Sequence, residues 1–365
     1  MATVYKTFGN DDITSTRTLL HEAIPLTGTL ASGTYGTAGA LGSEPNIKNY
    51  AHGMFQSVYD YPYLSSSANH IYDLTLGYSS TSIFSGTANT QNAKKINLYT
   101  QMAQVLMGYD ATGSILNFDE DGNITDGGTK SRSGFFINFA RLLTKDEIKK
   151  GSFTLKLGTG SYADPFAGII TIKDSNAATK YKVNSPAGEY GILSATVGYN
   201  SEIASAPACG LIFYQAGVAF ISSSVFMSGN ATVGVSRPGI LTNSVGFRDN
   251  GTYLTASITG SAISASCNYL RHRLYDLSFN NTTELNSTIH FCRVGHNDFN
   301  YSSNPTYLSQ SKIRVKNNTL DAPISYFTTV GLYSSDNELM AVAKLSEPLK
   351  KDPTNEMVVR VRLDY

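Results

Sequence analysis

The C-terminal segment carries the most regular pattern of the chain, and the pattern is that of β-strands. Residues 326–365 read YFTTVGLYSSDNELMAVAKLSEPLKKDPTNEMVVRVRLDY. Apolar side chains recur at every second position from Leu339 to Leu345 and again from Met357 to Leu363, which is the period of strands with two different faces. We predict that these two strands pair across the LSEPLKKDP connection, so that residues 326–365 form a terminal hairpin.

Two arginines of this segment are candidate interface residues. Arg360 and Arg362 share one face of the last predicted strand, opposite to its apolar face. At the edge of a sheet, such a charged face either prevents unwanted pairing or docks a partner. A second candidate surface is the segment FNYSSNPTY, whose Tyr301 and Tyr307 could contact protein or sugar, although packing within the protein is the commoner use of such rings.

Composition favours a surface that packs against other proteins. Lys and Arg together number 28, as do Asp and Glu, so the formal net charge is zero. Without a global field we expect neither nucleic acid nor an anionic membrane as a partner. Charged residues make up 15% of the chain, against roughly 25% in an average soluble protein. Burying the abundant Tyr, Ser and Asn side chains in an interface costs less free energy than burying charged side chains.

Length, cysteines and the N-terminal segment bound the class of protein. A chain of 365 residues exceeds the size at which one core stops growing, so we expect two domains or one with large insertions. Cys209, Cys267 and Cys292 are too scattered for a disulfide framework or a zinc site and are predicted to be buried thiols. We find no apolar run long enough for a membrane helix and no signal-peptide pattern, and expect a cytoplasm-like compartment.

The first 150 residues are mixed in character and form the first predicted domain, 1–150. Residues 13–24 follow two aspartates and place Leu19, Leu20 and Ile24 on one helical face, although their threonines also suit a strand. Further helices are predicted for residues 46–59, from an apolar spacing near 3.6, and for 92–107. Residues 26–43 are rich in Gly, Ser and Thr and read as a long arm that either crosses to a neighbouring subunit or folds back.

The remainder, 151–365, is predicted to be a β-rich domain. Just before it, Thr144 and Glu147 match the S/T-x-x-E capping box and predict a short helix over KDEIKK. Short strands separated by Gly and Asn turns then follow at steady intervals. We therefore predict a mainly β, antiparallel fold, sandwich-like or barrel-like, with a few helices in the first 150 residues.

Motifs for chemistry are weak in this sequence. Asp119, Asp121 and Asn123 have the 1, 3, 5 spacing of a calcium loop, but Ile124 stands where glycine is required and Lys130 where a bidentate glutamate is required. A simple turn is favoured over a metal site. We find no zinc-protease, nucleophile-elbow or phosphate-loop pattern. The chain is predicted to need no cofactor, to have no catalytic residues and not to be an enzyme.

Several segments together resemble a known family of proteins. The chain resembles the virion structural proteins of contractile-tailed, T-even-like bacteriophages, particularly marine and cyanobacterial ones, in FGNDDITSTRTLLHEAI, NYAHGMFQSVYDYPYLSSS, LTKDEIKKGSF, GLIFYQAGVAF, FNYSSNPTY, TTVGLYSSDNELMAVAKLSEPLKK and VRVRLDY. GLYSSDNELMAVAKL also looks like a hairpin that recurs in phage tail and fibre-associated proteins, which favours the tail over the capsid shell.

The resemblance implies a non-enzymatic structural component of the tail, neck or baseplate, located in the virion and assembled in the host cytoplasm. Its expected partners are copies of itself in a symmetric ring or oligomer and other phage structural proteins. The alternative function is a fibre-like or capsid-decorating module that binds host surface glycan through tyrosines such as Tyr301 and Tyr307. A third reading, a polysaccharide-cleaving enzyme on a β scaffold, lacks an acid pair or nucleophile in the sequence.

Overall fold

The structure is a computed structural model that describes residues 5–27, 44–119, 122, 130–158, 165–197, 208–226, 258–300, 308–309, 312–313, 320 and 323–365. The chain divides into two compact units. The large unit comprises residues 20–283, and the small unit comprises residues 1–19 together with 284–365. The domain boundary predicted near residue 150 falls inside the large unit, where strands from before and after that position pair with each other.

Strands make up about half of the described chain, and the mainly antiparallel β class predicted from the sequence is confirmed. In chain order they are β1 (Ile13–Thr27), β2 (Ile47–Asn49), β3 (Gln56–Tyr59), β4 (His70–Tyr78), β5 (Phe118–Asp119), β6 (Lys130–Ser131), β7 (Ser133–Phe139), β8 (Glu147–Ile148), β9 (Thr154–Gly158), β10 (Ile169–Lys173), β11 (Lys182–Ser185), β12 (Gly188–Val197), β13 (Ala208–Phe213), β14 (Val218–Ser222), β15 (Leu274–Val294), β16 (Leu308–Ser309), β17 (Lys312–Ile313), β18 (Ser325–Tyr333), β19 (Leu339–Lys351) and β20 (Met357–Asp364).

Helices are few and short. They are α1 (Asn92–Leu106), α2 (Arg141–Thr144), α3 (Ala177–Lys180) and α4 (Ile263–Arg273), with 3-10 turns at Asn10–Asp12 and Ser223–Phe226. The predicted helix near residues 92–107 is confirmed by α1. Helices α3 and α4 lie outside the first 150 residues, where the sequence predicts only strands.

The large unit is built on one sheet with the strand order β15-β9-β10-β12-β13-β14-β7-β4-β3-β2; β11 pairs with β12 and β8 with β15. Both faces of this sheet bury apolar side chains. On β7, Phe135 and Ile137 belong to one hydrophobic cluster, whereas Phe136 belongs to a second. Because successive residues of a strand point to opposite faces, the two clusters lie on opposite sides of the sheet.

Helix α1 lies directly on β4. A Cβ atom on Gly77 would lie 2.8 Å from the backbone nitrogen of Tyr99 and 3.0 Å from the carbonyl oxygen of Lys95. Glycine therefore permits the close approach of helix and strand. Of the three thiols, Cys209 and Cys267 are buried as predicted and Cys292 is half-buried.

The small unit consists of long strands with little core. In it, β15 and β20 pair antiparallel from Ser287 opposite Asp364 to Val294 opposite Met357. Strands β18 and β19 form a separate two-stranded sheet. Among the described residues of this unit, the buried apolar side chains are only those of Leu332 and Val361.

Two predicted helices are wrong, because both segments are strands. Residues 13–24 lie in β1, where the β-branched side chains of Ile13 and of alternating threonines prefer extended backbone. Residues 46–59 contain β2 and β3, which pair antiparallel from Ile47 opposite Val58 to Asn49 opposite Gln56. Gly53 has φ +64° in the turn between them, so the apolar spacing near 3.6 arose from a hairpin and its turn.

The predicted capping box and arm also need correction. Thr144 is the last residue of α2 and not an N-cap, Lys145 follows with a φ of 53°, and Glu147 begins a strand that pairs with β15. Of the predicted arm 26–43, Leu26 and Thr27 belong to β1, and residues 28–43 lie outside the described residues.

The predicted pairing of the terminal hairpin is wrong, although its strands and faces are right. Strand β19 pairs with β18, while β20 pairs with β15. Most of the LSEPLKKDP connection is itself part of β19. The GLYSSDNELMAVAKL hairpin does form, with its turn between Tyr333 and Leu339. A two-residue period identifies a strand and its faces but carries no information about the partner strand.

Candidate assembly surface

The hairpin β18–β19 presents an apolar patch to solvent. Its turn is closed by hydrogen bonds from Ser334 N to Glu338 O (2.9 Å) and from Asn337 N to Ser334 O (3.1 Å), and Asn337 adopts a φ of 62°. Asn tolerates this left-handed conformation better than most residues. Beyond the turn Tyr333 pairs with Leu339 and Gly331 with Val342, with a register shift between Leu332 and Tyr333.

Five side chains define this hairpin patch: Tyr5, Tyr333, Leu339, Met340 and Val342, each between 43% and 71% exposed. The rings of Tyr5 and Tyr333 meet edge to face, with centroids 4.9 Å apart. A Cβ on Gly331, the residue opposite Val342, would lie 2.9 Å from the Tyr333 ring and 3.2 Å from Leu339. Clustered exposed apolar side chains of this kind mark sites of interaction with other proteins.

Strand β20 supplies a second surface, with the alternation that the sequence predicts. Val359, Val361 and Leu363 are buried or half-buried, whereas Val358, Arg360 and Arg362 are exposed. Along the described chain, β20 pairs with β15 alone. It is thus an edge strand of the described sheet, and edge protection or docking by its charged face stays a prediction.

The two candidate arginines of β20 differ in their contacts. Arg362 donates hydrogen bonds to Asp364 Oδ1 (2.7 Å) and to Ser287 Oγ (3.0 Å), and the Ser287 hydroxyl donates to the same Asp364 oxygen at 2.6 Å. The Ser287 hydrogen bond and then Arg362 lower the pKa of Asp364. Arg360 is exposed and joins none of the ion pairs of the described chain. Arg362 therefore stabilises the end of β20, whereas Arg360 is exposed.

Polar contacts hold the small unit together in place of a large core. Lys351 is buried, and its ammonium donates to His296 O (3.0 Å), Asn300 Oδ1 (2.7 Å) and Asp352 O (2.7 Å). Exposed ion pairs contribute little to stability in water, roughly 0–1 kcal/mol each. In this unit they join Lys6 to Asp298, Arg17 to Glu284 and Arg293 to Asp12. The small unit is therefore held mainly by polar contacts, while the large apolar side chains of the hairpin patch stay exposed.

The remaining candidate residues from the sequence are either outside the described residues or paired within the protein. Tyr301 and Tyr307 lie outside the described residues, as do Asp121 and Asn123. Asp119 is buried, and its carboxylate forms an ion pair with Lys130. Within the part of the chain that the structure describes, no group of three or more His, Cys, Asp or Glu side chains could hold a metal ion, and no helix could cross a membrane.

One Ser, Asp, His cluster merits comparison with a catalytic triad. Asp73 Oδ1 accepts hydrogen bonds from Ser57 Oγ (2.5 Å) and from His70 Nε2 (2.8 Å). In a triad the imidazole contacts the serine and takes its proton. Here the carboxylate lies between the two, so no base is positioned to activate the serine through the ring.

The sequence reasoning missed the hairpin patch as a site. It sought an interface on the charged face of β20 and placed Leu339 on the apolar face of a hairpin with β20, with Met340 and Val342 on the opposite face. The signal was present in Tyr333, Leu339, Met340 and Val342, which flank the SSDN turn.

No protein-family model matches this chain, and neither a curated protein nor a solved structure is significantly similar to it. Its function is therefore inferred from its own residues and their geometry.

Proposed function

We propose that this chain is a non-enzymatic structural component of a tailed-phage virion, in the tail, neck or baseplate, and that it acts by assembling with copies of itself and with other virion proteins. One observation carries the assembly part of the proposal, and the assignment to a phage particle rests on the resemblance in the sequence. The small unit exposes the hairpin patch while only Leu332 and Val361 are buried among its described apolar side chains. A two-stranded hairpin is at best marginally stable alone in water, so the patch favours a covering partner.

A second copy of the same chain is the first partner that this surface fits. The formal net charge is zero, with 28 basic and 28 acidic side chains, so copies do not repel one another strongly. The patch is aromatic and aliphatic, as the cores of subunit interfaces are. Contacts between copies close into rings when the rotation allows, which agrees with the symmetric assemblies that the resemblance implies.

The non-enzymatic part of the proposal is supported by the polar clusters of the described chain. The carboxylate of Asp73 separates Ser57 from His70. The carboxylate of Asp174 accepts hydrogen bonds from the backbone amides of Gly151 (2.7 Å) and Phe153 (3.1 Å). The carboxylate of Asp119 forms an ion pair with Lys130. Each of these buried or half-buried acids already has hydrogen-bond or ion-pair partners within the protein.

Mass spectrometry of purified phage particles tests the proposal. Particles washed in high salt and banded in a density gradient should retain the chain in a fixed ratio to the major tail protein. Particles assembled with a Met340→Ser, Val342→Ser variant should lack it, while a Lys94→Glu variant on the large unit serves as the matched surface control. Absence of the unaltered chain from intact particles would contradict the proposal.

A further inference from the structure

An aromatic track lies on the edge of the large unit's sheet formed by β2, β3 and β4. Its members, all half-buried or exposed, are Tyr50, His52, Phe55, Tyr59, Tyr63 and His70. At one end Tyr50 stacks on His52, with centroids 5.1 Å apart and planes 9° apart, and contacts Phe55 at 4.8 Å. At the other end Tyr59 contacts His70 at 5.6 Å and Tyr63 at 6.4 Å.

Polar groups join the two ends of the track. The hydroxyl of Tyr50 lies 3.1 Å from Ser57 Oγ, and Ser57 donates to Asp73 at 2.5 Å. His70 Nε2 contacts the same Asp73 oxygen at 2.8 Å, and the Asp73 side chain is 26% exposed. Acceptors and donors thus alternate with aromatic rings along one surface.

The loop that carries Tyr63 is held in place before any ligand arrives. The carboxylate of Asp60 accepts from the backbone amide of Asn69 (2.6 Å) and from its side-chain amide (2.8 Å). The backbone amide of Tyr63 donates to Pro45 O at 3.0 Å. A preformed loop loses little entropy on binding, which raises affinity.

A surface pocket of about 300 Å³ adjoins the track at Tyr63. Its lining includes the polar residues Glu44 and Asn49 as well as Pro62 and Leu64. The Glu44 carboxylate pairs with the buried guanidinium of Arg271 at 3.4 Å. Because that charge is compensated, the pocket suits a neutral ligand better than an ion.

The chemistry of the track selects among extended ligands. Pyranose rings present apolar C–H faces that pack on aromatic rings and hydroxyl groups that donate to carboxylates such as Asp73. A proline-rich peptide also packs on aromatic rings but offers mainly carbonyl acceptors, which Asp73 cannot satisfy. A nucleic acid would bring phosphates towards Asp60 and Asp73, which oppose binding.

We propose that the aromatic track binds a chain of neutral sugars, with rings stacked on Tyr59 and Tyr63 and hydroxyl groups bonded to the Asp73 cluster. This function is separate from assembly, because the track lies in the large unit and the hairpin patch in the small unit. Loss of one activity does not require loss of the other.

Affinity electrophoresis of the full chain tests this inference. Native gels cast with soluble mannan, dextran, β-1,3-glucan or galactomannan should retard the protein in at least one case. Tyr63→Ala should weaken that retardation about fivefold or more, as removal of a stacking ring does in single-stranded nucleic acid sites. Tyr61→Ala is the matched control, because Tyr61 is 56% exposed and stacks on none of the described rings.

Three results would overturn the inference. The first is no retardation by any of the four polysaccharides, and the second is equal weakening by Tyr61→Ala and Tyr63→Ala. The third is retardation only by heparin, by a single-stranded oligonucleotide or by a proline-rich peptide fused to a carrier, tested in parallel. Far-ultraviolet circular dichroism of each variant excludes misfolding.

Discussion

The ammonium group of Lys95 donates a hydrogen bond of 2.8 Å to the carbonyl oxygen of Ser261 and thereby ties helix α1 to the segment before α4. A second bond from the same group goes to the carbonyl of Ile258. Lys95 is fully buried. Burial lowers its pKa from the ordinary value of 10.5 to about 8.

This burial makes stability depend on pH in a defined window. Between pH 8 and pH 10.5 the unfolded chain holds more protons at Lys95 than the folded chain, so folding stability rises with pH there. Relative to Lys95→Met, the wild-type free energy of unfolding should therefore gain about 3 kcal/mol across the window. Tyrosine ionisation affects both proteins and cancels in the difference.

Urea unfolding at a series of pH values measures that difference. Lys94→Met, on the exposed side of the same helix, is the matched control and should follow the wild type. Parallel stability curves for wild type and Lys95→Met from pH 8 to pH 10.5 would contradict the lowered pKa of the buried Lys95.

Gly77 should tolerate no side chain. In Gly77→Ala the new Cβ would lie 2.8 Å from Tyr99 N, so α1 must move off β4, and we expect a loss of about 1–3 kcal/mol in unfolding free energy. Gly86→Ala is the matched control, because its Cβ would meet nothing closer than 3.8 Å. Equal stabilities of the two variants in thermal unfolding would refute the close helix–strand packing.

The buried carboxylate of Asp174 should be needed as an acceptor. It accepts from Gly151 N, Phe153 N and the Tyr214 hydroxyl at 2.7, 3.1 and 3.1 Å. Asn in its place turns one acceptor into a donor that faces other donors, so Asp174→Asn should lose about 1–3 kcal/mol. Asp336→Asn, in the exposed hairpin turn, should change the urea midpoint little, and a similarly small change at Asp174 would contradict this role.

Arg360 and Arg362 should respond differently to charge reversal. Arg360→Glu changes an exposed side chain, so the protein should keep its melting temperature yet fail to join other copies or particles if β20 docks a partner. Arg362→Glu places a carboxylate beside Asp364 in place of the 2.7 Å hydrogen bond, and should loosen the strand end. Hydrogen exchange of the β20 amides separates the two effects, because only Arg362→Glu should speed exchange at the strand end. An Arg360→Glu variant that assembles normally would show that Arg360 does not dock a partner.

Local alternation was enough to predict the class of fold, but not the pairing. The faces of β20 follow from its two-residue period, because Val359 and Val361 point inward while Arg360 and Arg362 point outward. Its partner β15 lies more than sixty residues away, and no local signal encodes such a contact. In β1, β-branched propensity outweighed the helical spacing of Leu19 and Leu20.

Helix α4, in contrast, could have been predicted from its sequence, because its apolar residues have helical spacing. Ile263, Cys267 and Leu270 are buried at the i, i+4, i+7 spacing of a helix. The candidate sites were less accessible to sequence reasoning. The hairpin patch depends on which large side chains stay uncovered, and the aromatic track depends on three strands brought side by side, both of which are properties of the folded chain.

Native mass spectrometry across a concentration series tests most directly whether the hairpin patch mediates assembly. The wild-type chain should form one closed oligomer of a single copy number, and Met340→Ser with Val342→Ser should remain folded but monomeric, because both side chains are exposed in the single chain. A wild-type protein that stays monomeric at every concentration, or a double variant that assembles equally well, would contradict the account.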